Sequence, residues 1–283
     1  MLLSSYTRIP ASSLLLSLFL LFPSDLRAGQ GVAVEKKAAP AEPEKELSVK
    51  IDGKADDKAW ETLPFRNVKY GTKDIKFKIH SDDAYAYLLV VFPSEKENRQ
   101  HMPWRWDPLK QYYIVGPERE DELHVLWTEP PVSLKSDASP EKADVWIWRA
   151  GRTDPAGFAD DYSMPGKNLA DDKTGDGPAE FLPDQGLSCW FSRYFVSFTE
   201  DSVPRFYQRP PTGSAADVKA KGTWKEGVWT VEFCRKIKTG NPDDMDLSGK
   251  SNIGLSIFTG APVKSRLSYS SFTSVPAAED ESK

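Results

Sequence analysis

Three separated stretches carry the side chains that could do chemistry. The first is His101-Met102-Pro103-Trp104-Arg105-Trp106. It sets an imidazole beside a thioether, with two indoles and a guanidinium close behind. Imidazole and thioether both ligate iron, indoles stack on a flat macrocycle, and arginine pairs with a propionate, so the group suits a haem. The same residue types also plug irregular gaps at one end of a β-sandwich, and spacing alone favours that plainer reading. The second stretch runs from Asp144 through Val145-Trp146-Ile147-Trp148-Arg149 and Gly151-Arg152 to Asp160-Asp161. It begins as a strand with apolar groups on both faces, as in a central strand or one that lines a cavity. The third is Trp229–Lys238, where Val231, Phe233 and Ile237 share a face with Arg235, an apparent misfit. At its end, Lys236 or Lys238 could reach an iron or a propionate; for each the pattern alone favours the plainer reading as a solvated edge charge.

Other chemistries find little support. No Gly-x-Ser-x-Gly elbow is present, and neither cysteine adjoins a histidine. The three histidines lack His-x-His or His-x-x-x-His spacing for zinc. Carboxylates pair at Asp160-Asp161, Asp171-Asp172 and Asp243-Asp244, all read as turns, where aspartate serves the backbone. The Asp171–Asp176 loop groups enough oxygen donors to hold calcium, or is a solvated acidic loop. A net charge of −5 gives no basic stripe, so no nucleic-acid partner is expected. Cys189 and Cys234 form one disulfide or stay as buried thiols. With no Cys-x-x-Cys-His, any haem is non-covalent.

The elements that position these residues follow from the rest of the chain. Arg8, the apolar run Leu14–Phe22 and Leu26-Arg27-Ala28 read as a signal peptide over residues 1–28, which implies a periplasmic or secreted protein with no stable membrane span after cleavage. Residues 29–46, rich in Ala, Pro, Lys and Glu, read as a flexible linker, and 277–283 as a disordered tail. The domain is therefore 47–276. Ile75, Phe77 and Ile79 alternate with polar residues, and Tyr85–Phe92 is apolar on both faces; together they predict a hairpin. Further strands are expected at Leu123–Trp127, Cys189–Phe198, Val228–Ile237, Asn252–Thr259 and Arg266–Ser271, with a long loop from Pro93 to Tyr112. No helical period lasts three turns. The fold class is all-β: an antiparallel β-sandwich of jelly-roll type with long loops and few short helices.

These blocks carry a resemblance. Asp144–Asp161 resembles the signature of the ethylbenzene dehydrogenase-type haem-binding domain, the family of haem b-carrying subunits of periplasmic molybdenum enzymes related to dimethyl sulfoxide reductase. Ile51-Asp-Gly-Lys-Ala-Asp-Asp-Lys-Ala-Trp60, Met102-Pro-Trp-Arg-Trp-Asp107 and Trp229–Gly240 match in the same order. The Ile51–Trp60 block is similar also to family 9 carbohydrate-binding modules, whose exposed tryptophans stack on sugars, and that is the alternative reading. The resemblance implies a non-covalent haem b at one end of the sandwich, serving a redox partner such as a molybdopterin subunit. It implies Met102 with Lys236 or Lys238 as iron ligands. Trp104, Trp146 and Trp148 would wall the pocket, and Arg149 or Arg152 would pair with a propionate. Where many relatives carry histidine between the two tryptophans, this chain has Ile147.

Overall fold

A computed structural model describes residues 46–129, 143–164, 181–193, 198–260 and 273–276. The chain divides into two units, Met1–Glu44 and Lys45–Lys283, and every described residue lies in the second. The expected signal peptide, most of the linker, the calcium loop Asp171–Asp176 and the expected strand Arg266–Ser271 lie outside the described residues.

The helix α1 (Lys58–Glu61) precedes a meander of β1 (Arg66–Tyr70), β2 (Lys73–Ser81) and β3 (Tyr85–Pro93). The loop after β3 is not structureless as expected: it contains β4 (Trp104–Asp107), paired with β5 (Tyr112–Val115). Next come β6 (Glu122–Thr128), β7 (Ala143–Arg149) and β8 (Asp160–Met164). Six short strands follow, β9 (Leu182–Pro183), β10 (Gly186–Leu187), β11 (Trp190–Ser192), β12 (Ser202–Val203), β13 (Phe206–Gln208) and β14 (Thr212–Gly213). The chain ends in β15 (Lys219–Lys225), β16 (Val228–Lys236), β17 (Asn252–Phe258) and β18 (Thr273–Pro276). Among the described residues, helix is otherwise limited to one-turn 3₁₀ segments at Asp154–Ala156 and Ser214–Ala216.

Two antiparallel sheets make the sandwich, one ordered β1-β2-β3-β16-β15 and the other β18-β17-β6-β7-β8-β9. The expected β2–β3 hairpin is present, joined by Asp82, whose Oδ1 accepts from the amides of Ala84 (2.8 Å) and Tyr85 (2.9 Å). Period-2 alternation explains why β3 is apolar on both faces. Leu88, Val90 and Phe92 enter the core between the sheets. Tyr85, Tyr87 and Leu89 face the other way and are covered by the N-terminal strap carrying Val49 and Trp60. A buried carboxylate, Glu232 on β16, fastens that strap by accepting from Trp60 Nε1 (2.9 Å), the Gly53 amide (2.7 Å) and the Asp52 amide (3.1 Å).

The same alternation decides β7. Trp146 and Trp148 are fully buried between the sheets, against Trp127 and Phe233 and against Phe92 and Trp229 respectively. They are core residues and not pocket walls, because the inward face of a central strand leaves an indole no opening. Val145 and Ile147 occupy the opposite face with Leu126 and Tyr162. Asp160 and Asp161 do not terminate a turn: both lie in β8, buried, opposite Ile147 and Trp146. The expected strand Cys189–Phe198 is shorter, with β11 its only strand among the described residues. Cys189 and Cys234 are both buried and are not joined in a disulfide.

Candidate functional site

The site is built where β3 ends and β6 begins. Asp121 ties these edges together: it accepts from Trp229 Nε1 (2.7 Å), Ser94 Oγ (2.8 Å) and Asn98 Nδ2 (2.8 Å). The chain from Arg99 to Pro103 is thereby held across the end of β7. Its close approach requires Gly151, since a Cβ there would run into the backbone carbonyl of Arg99. Between these segments and the Ser202–Gln208 segment lies a cavity of about 530 Å³. Among the described residues its lining includes Arg99, His101, Arg152, Arg205, Pro155 and Phe206, and no carboxylate.

Acids do lie directly behind this lining. Glu120, fully buried, accepts from the amides of Gly151 (2.6 Å) and Arg152 (2.9 Å) and also holds the Arg152 guanidinium. Its Oε1 sits 3.2 Å from His101 Nδ1. Glu122 accepts from Arg152 (3.0 Å) and faces His124 Nε2 at 2.8 Å. Arg149 pairs with Asp160, which also accepts from Trp190 Nε1 at 2.9 Å. Arg152 lies over the rings of Trp190 (5.0 Å) and Phe206 (5.2 Å), and Arg205 over Trp104 (5.3 Å) and Phe206 (5.5 Å). Arg205 Nε is buried without a hydrogen-bond partner.

Burial, reinforced by the positive charge of Arg152, pushes the His101 imidazole down to about 3. It is therefore neutral at physiological pH. Burial also lifts the Glu120 carboxyl, against the pull of Arg152. In Glu122 burial works the same way but is outweighed by Arg149, His124 and Arg152, so its carboxyl stays below the usual range. The result is a basic, partly apolar cavity with one uncharged nitrogen donor on its wall.

Of the residues expected at a haem, Arg152 lines the cavity, Trp104 supports it through Arg205, and Arg149 stands one shell behind. The expected iron pair does not come together. Met102, held at φ +45° by its amide's bond to Glu118 O (2.9 Å), is not among the lining residues. Lys236 is exposed opposite Tyr85, at the far end of β3 and β16 from this cavity. Nine residues of strand put it about 25 Å from the Pro93 end. Lys238 is further along and pairs with Asp246 at 3.2 Å. A Met–Lys-ligated iron does not fit this chain. A flat anionic ring with His101 as its donor does, since the arginines supply the countercharge and Arg205 Nε an open donor.

Sequence reading missed Glu120, Glu122, Arg205 and Phe206. The signal lay in Glu118-Arg-Glu-Asp-Glu122, a charged run that has the composition of a turn but leads directly into an apolar strand. A larger cavity of about 860 Å³, along β2 and β3, carries Lys73, Lys76 and Lys96 beside Asp74 and Glu95, and among the described residues offers no histidine, methionine or cysteine. Among the described residues no helix is long and apolar enough to cross a membrane.

A family profile described as ethylbenzene dehydrogenase matches residues 49–270. No curated protein matches the chain.

Proposed function

The chain belongs to the ethylbenzene dehydrogenase family, and from that premise we propose that it is an exported domain that binds haem b non-covalently and transfers electrons in the service of a redox partner such as a molybdenum oxidoreductase. The observation that supports this reading is the cavity's lining: three arginines, no carboxylate, a phenyl ring and an imidazole held neutral by burial. When bound, haem b supplies one-electron chemistry that no side chain here provides. Arg99, Arg152 and Arg205 are the residues that would hold its propionates, with Phe206 against the ring. His101 would donate through Nε2. Glu120 Oε1, 3.2 Å from Nδ1, would favour the tautomer protonated there and leave Nε2 free.

Reconstitution of the purified chain with haem tests this. A Soret band is expected. His101→Ala should weaken binding by at least about tenfold and shift the band, whereas Met102→Ala and Lys236→Ala should leave it unchanged. No Soret band in the reconstituted wild type, or one indifferent to His101→Ala, would overturn the reading. One observation favours the carbohydrate-binding alternative: Trp106 and Tyr112 are 39% and 51% exposed on the β4–β5 hairpin. That reading requires retention on polysaccharide without haem, lost in Trp106→Ala.

A further inference from the structure

At the opposite end of the sandwich, four carboxylates converge where water does not reach. Asp144 comes from β7, Asp161 from β8, Asp184 follows β9, and Asp244 lies in the loop after β16; their exposures are 1%, 2%, 5% and 6%. Oxygens of Asp144, Asp161 and Asp244 all lie within 4.8 Å of one another. The Asp184 amide donates to Asp161 O at 3.1 Å, which brings the fourth acid alongside. Arg235, the misfit of β16, is the cation here: it holds Asp144, reaches Asp244 at 3.2 Å and donates to Met245 O. Four carboxylates against one guanidinium make a formal −3 in a buried volume when all four are ionised.

Hydrogen bonding does not absorb this charge. Neither carboxylate oxygen of Asp161 has a hydrogen-bond partner, and Asp144 Oδ1 has none. A buried carboxylate with both oxygens bare is strongly disfavoured, and here it points at two others. We propose that Asp144, Asp161, Asp184 and Asp244 form a binding site for one divalent cation of the calcium class, which clasps the β7–β8 sheet to the loop after β16. The donor set is oxygen only, which suits a hard cation and gives a transition metal no nitrogen or sulfur. Calcium bonds of about 2.4 Å span oxygens up to about 4.8 Å apart and tolerate irregular geometry, while magnesium demands a tighter octahedron. Without the cation, burial and the neighbouring acids push the Asp161 carboxyl well up and Asp184 up to about 7.

Two measurements on the EDTA-stripped chain test the site. Thermal melting against Ca²⁺ concentration should show a saturable rise in Tm, with one ion bound per chain by calorimetry. Terbium should luminesce when tryptophan is excited, because Trp146 lies beneath Arg235 at 5.4 Å, and Ca²⁺ should quench that emission by displacement. Asp161→Asn should abolish both responses, since it takes away a carboxylate ligand. Asp246→Asn, at an exposed acid outside the cluster, should keep both. No ion bound to the stripped wild type, a response to Mg²⁺ alone, or a Ca²⁺ response surviving in Asp161→Asn would each overturn the proposal. If Asp161→Asn does not fold, displaceable terbium emission from the wild type supports the site and its absence refutes it.

Discussion

Gly222 and Trp148 should be energetically coupled, and the coupling can be worked from the structure. A Cβ on Gly222 would stand 2.5 Å from Trp148 Cζ2 and 3.0 Å from Cε2, deep in the core and with no room for the indole to retreat. Trp148 is wedged against Trp229 at 4.8 Å and held by its Nε1 bond to Asp154 (3.0 Å). Overpacking costs about 1–3 kcal/mol, offset by the roughly 0.5–1 kcal/mol that alanine gains over glycine in a strand. Gly222→Ala alone should therefore destabilise by about 1–2 kcal/mol, a Tm loss of about 2–8 °C for a domain of this size. Trp148→Phe removes the ring atoms that clash, together with the donor to Asp154, and alone should cost about 2 kcal/mol. In the double variant the new methyl enters the vacated space. The two costs should then fall short of their sum by about 1–2 kcal/mol, where independent sites add to within about 0.5 kcal/mol. Urea titrations followed by far-UV circular dichroism measure all four corners of the cycle. Simple additivity would refute the claim that the glycine exists to seat the indole.

Two further predictions concern the outer face of the first sheet. Glu232→Gln should cost about 1–3 kcal/mol, because the amide keeps one acceptor oxygen and turns its NH₂ toward either the Trp60 indole N–H or the two backbone amides of Asp52 and Gly53. Hydrogen exchange should accelerate in residues 47–60 ahead of the rest of the chain; uniform acceleration would mean that Glu232 does not fasten the strap. In Asp82, burial opposes ionisation, but bonds from the Ala84 and Tyr85 amides prevail and hold its carboxyl at about 2, below the usual 3.8. With the folded value the lower, its contribution is complete above pH 3.8 and is lost as pH falls toward 2. The group is partly solvated, so the contribution is under about 1 kcal/mol. Stability measured from pH 5 to 2.5 should fall less steeply in Asp82→Asn than in the wild type, and identical slopes would count against it.

What could be read from sequence was whatever depends on neighbours along the chain. Alternation placed β2, β3, β16 and β17 nearly to the residue, and the turn aspartate Asp82 sat where the hairpin needed it. Arg235 was already visible as a charge on an apolar face. Its partners were not, because Asp144 lies 91 residues away in the other sheet and the pairing exists only once the sheets stack. The same limit explains Trp146 and Trp148. Two indoles on one strand face look equally like a cofactor wall and a core, and only the opposing sheet decides. It explains Lys236 too, since the distance between the two ends of β16 is plain only when Met102 is known to lie at the other. Acids were the hardest to read: Glu120 and Asp161 occur in charged runs that resemble solvated turns, yet each is buried.

Charge separates the two ends of the sandwich, and that separation governs what each can hold. The faces of both sheets are spent on apolar packing, so polar groups collect where strands stop. At the Pro93 end the acids Glu120, Glu122 and Asp160 are paired with Arg149 and Arg152, and the charged groups among the described lining residues of the cavity are Arg99, Arg152 and Arg205, beside an uncharged imidazole. A cation placed there would meet three guanidinium groups, and an anionic ring would be drawn in. At the Lys236 end a single arginine faces four acids, so an anion is excluded and a cation is wanted. The two ligands therefore cannot exchange ends. Since β7 runs through both, with Asp144 near one terminus and Arg149 at the other, it links two sites of opposite sign through one rigid strand. A cation that steadied Asp144 would steady the strand that carries Arg149 behind the cavity wall.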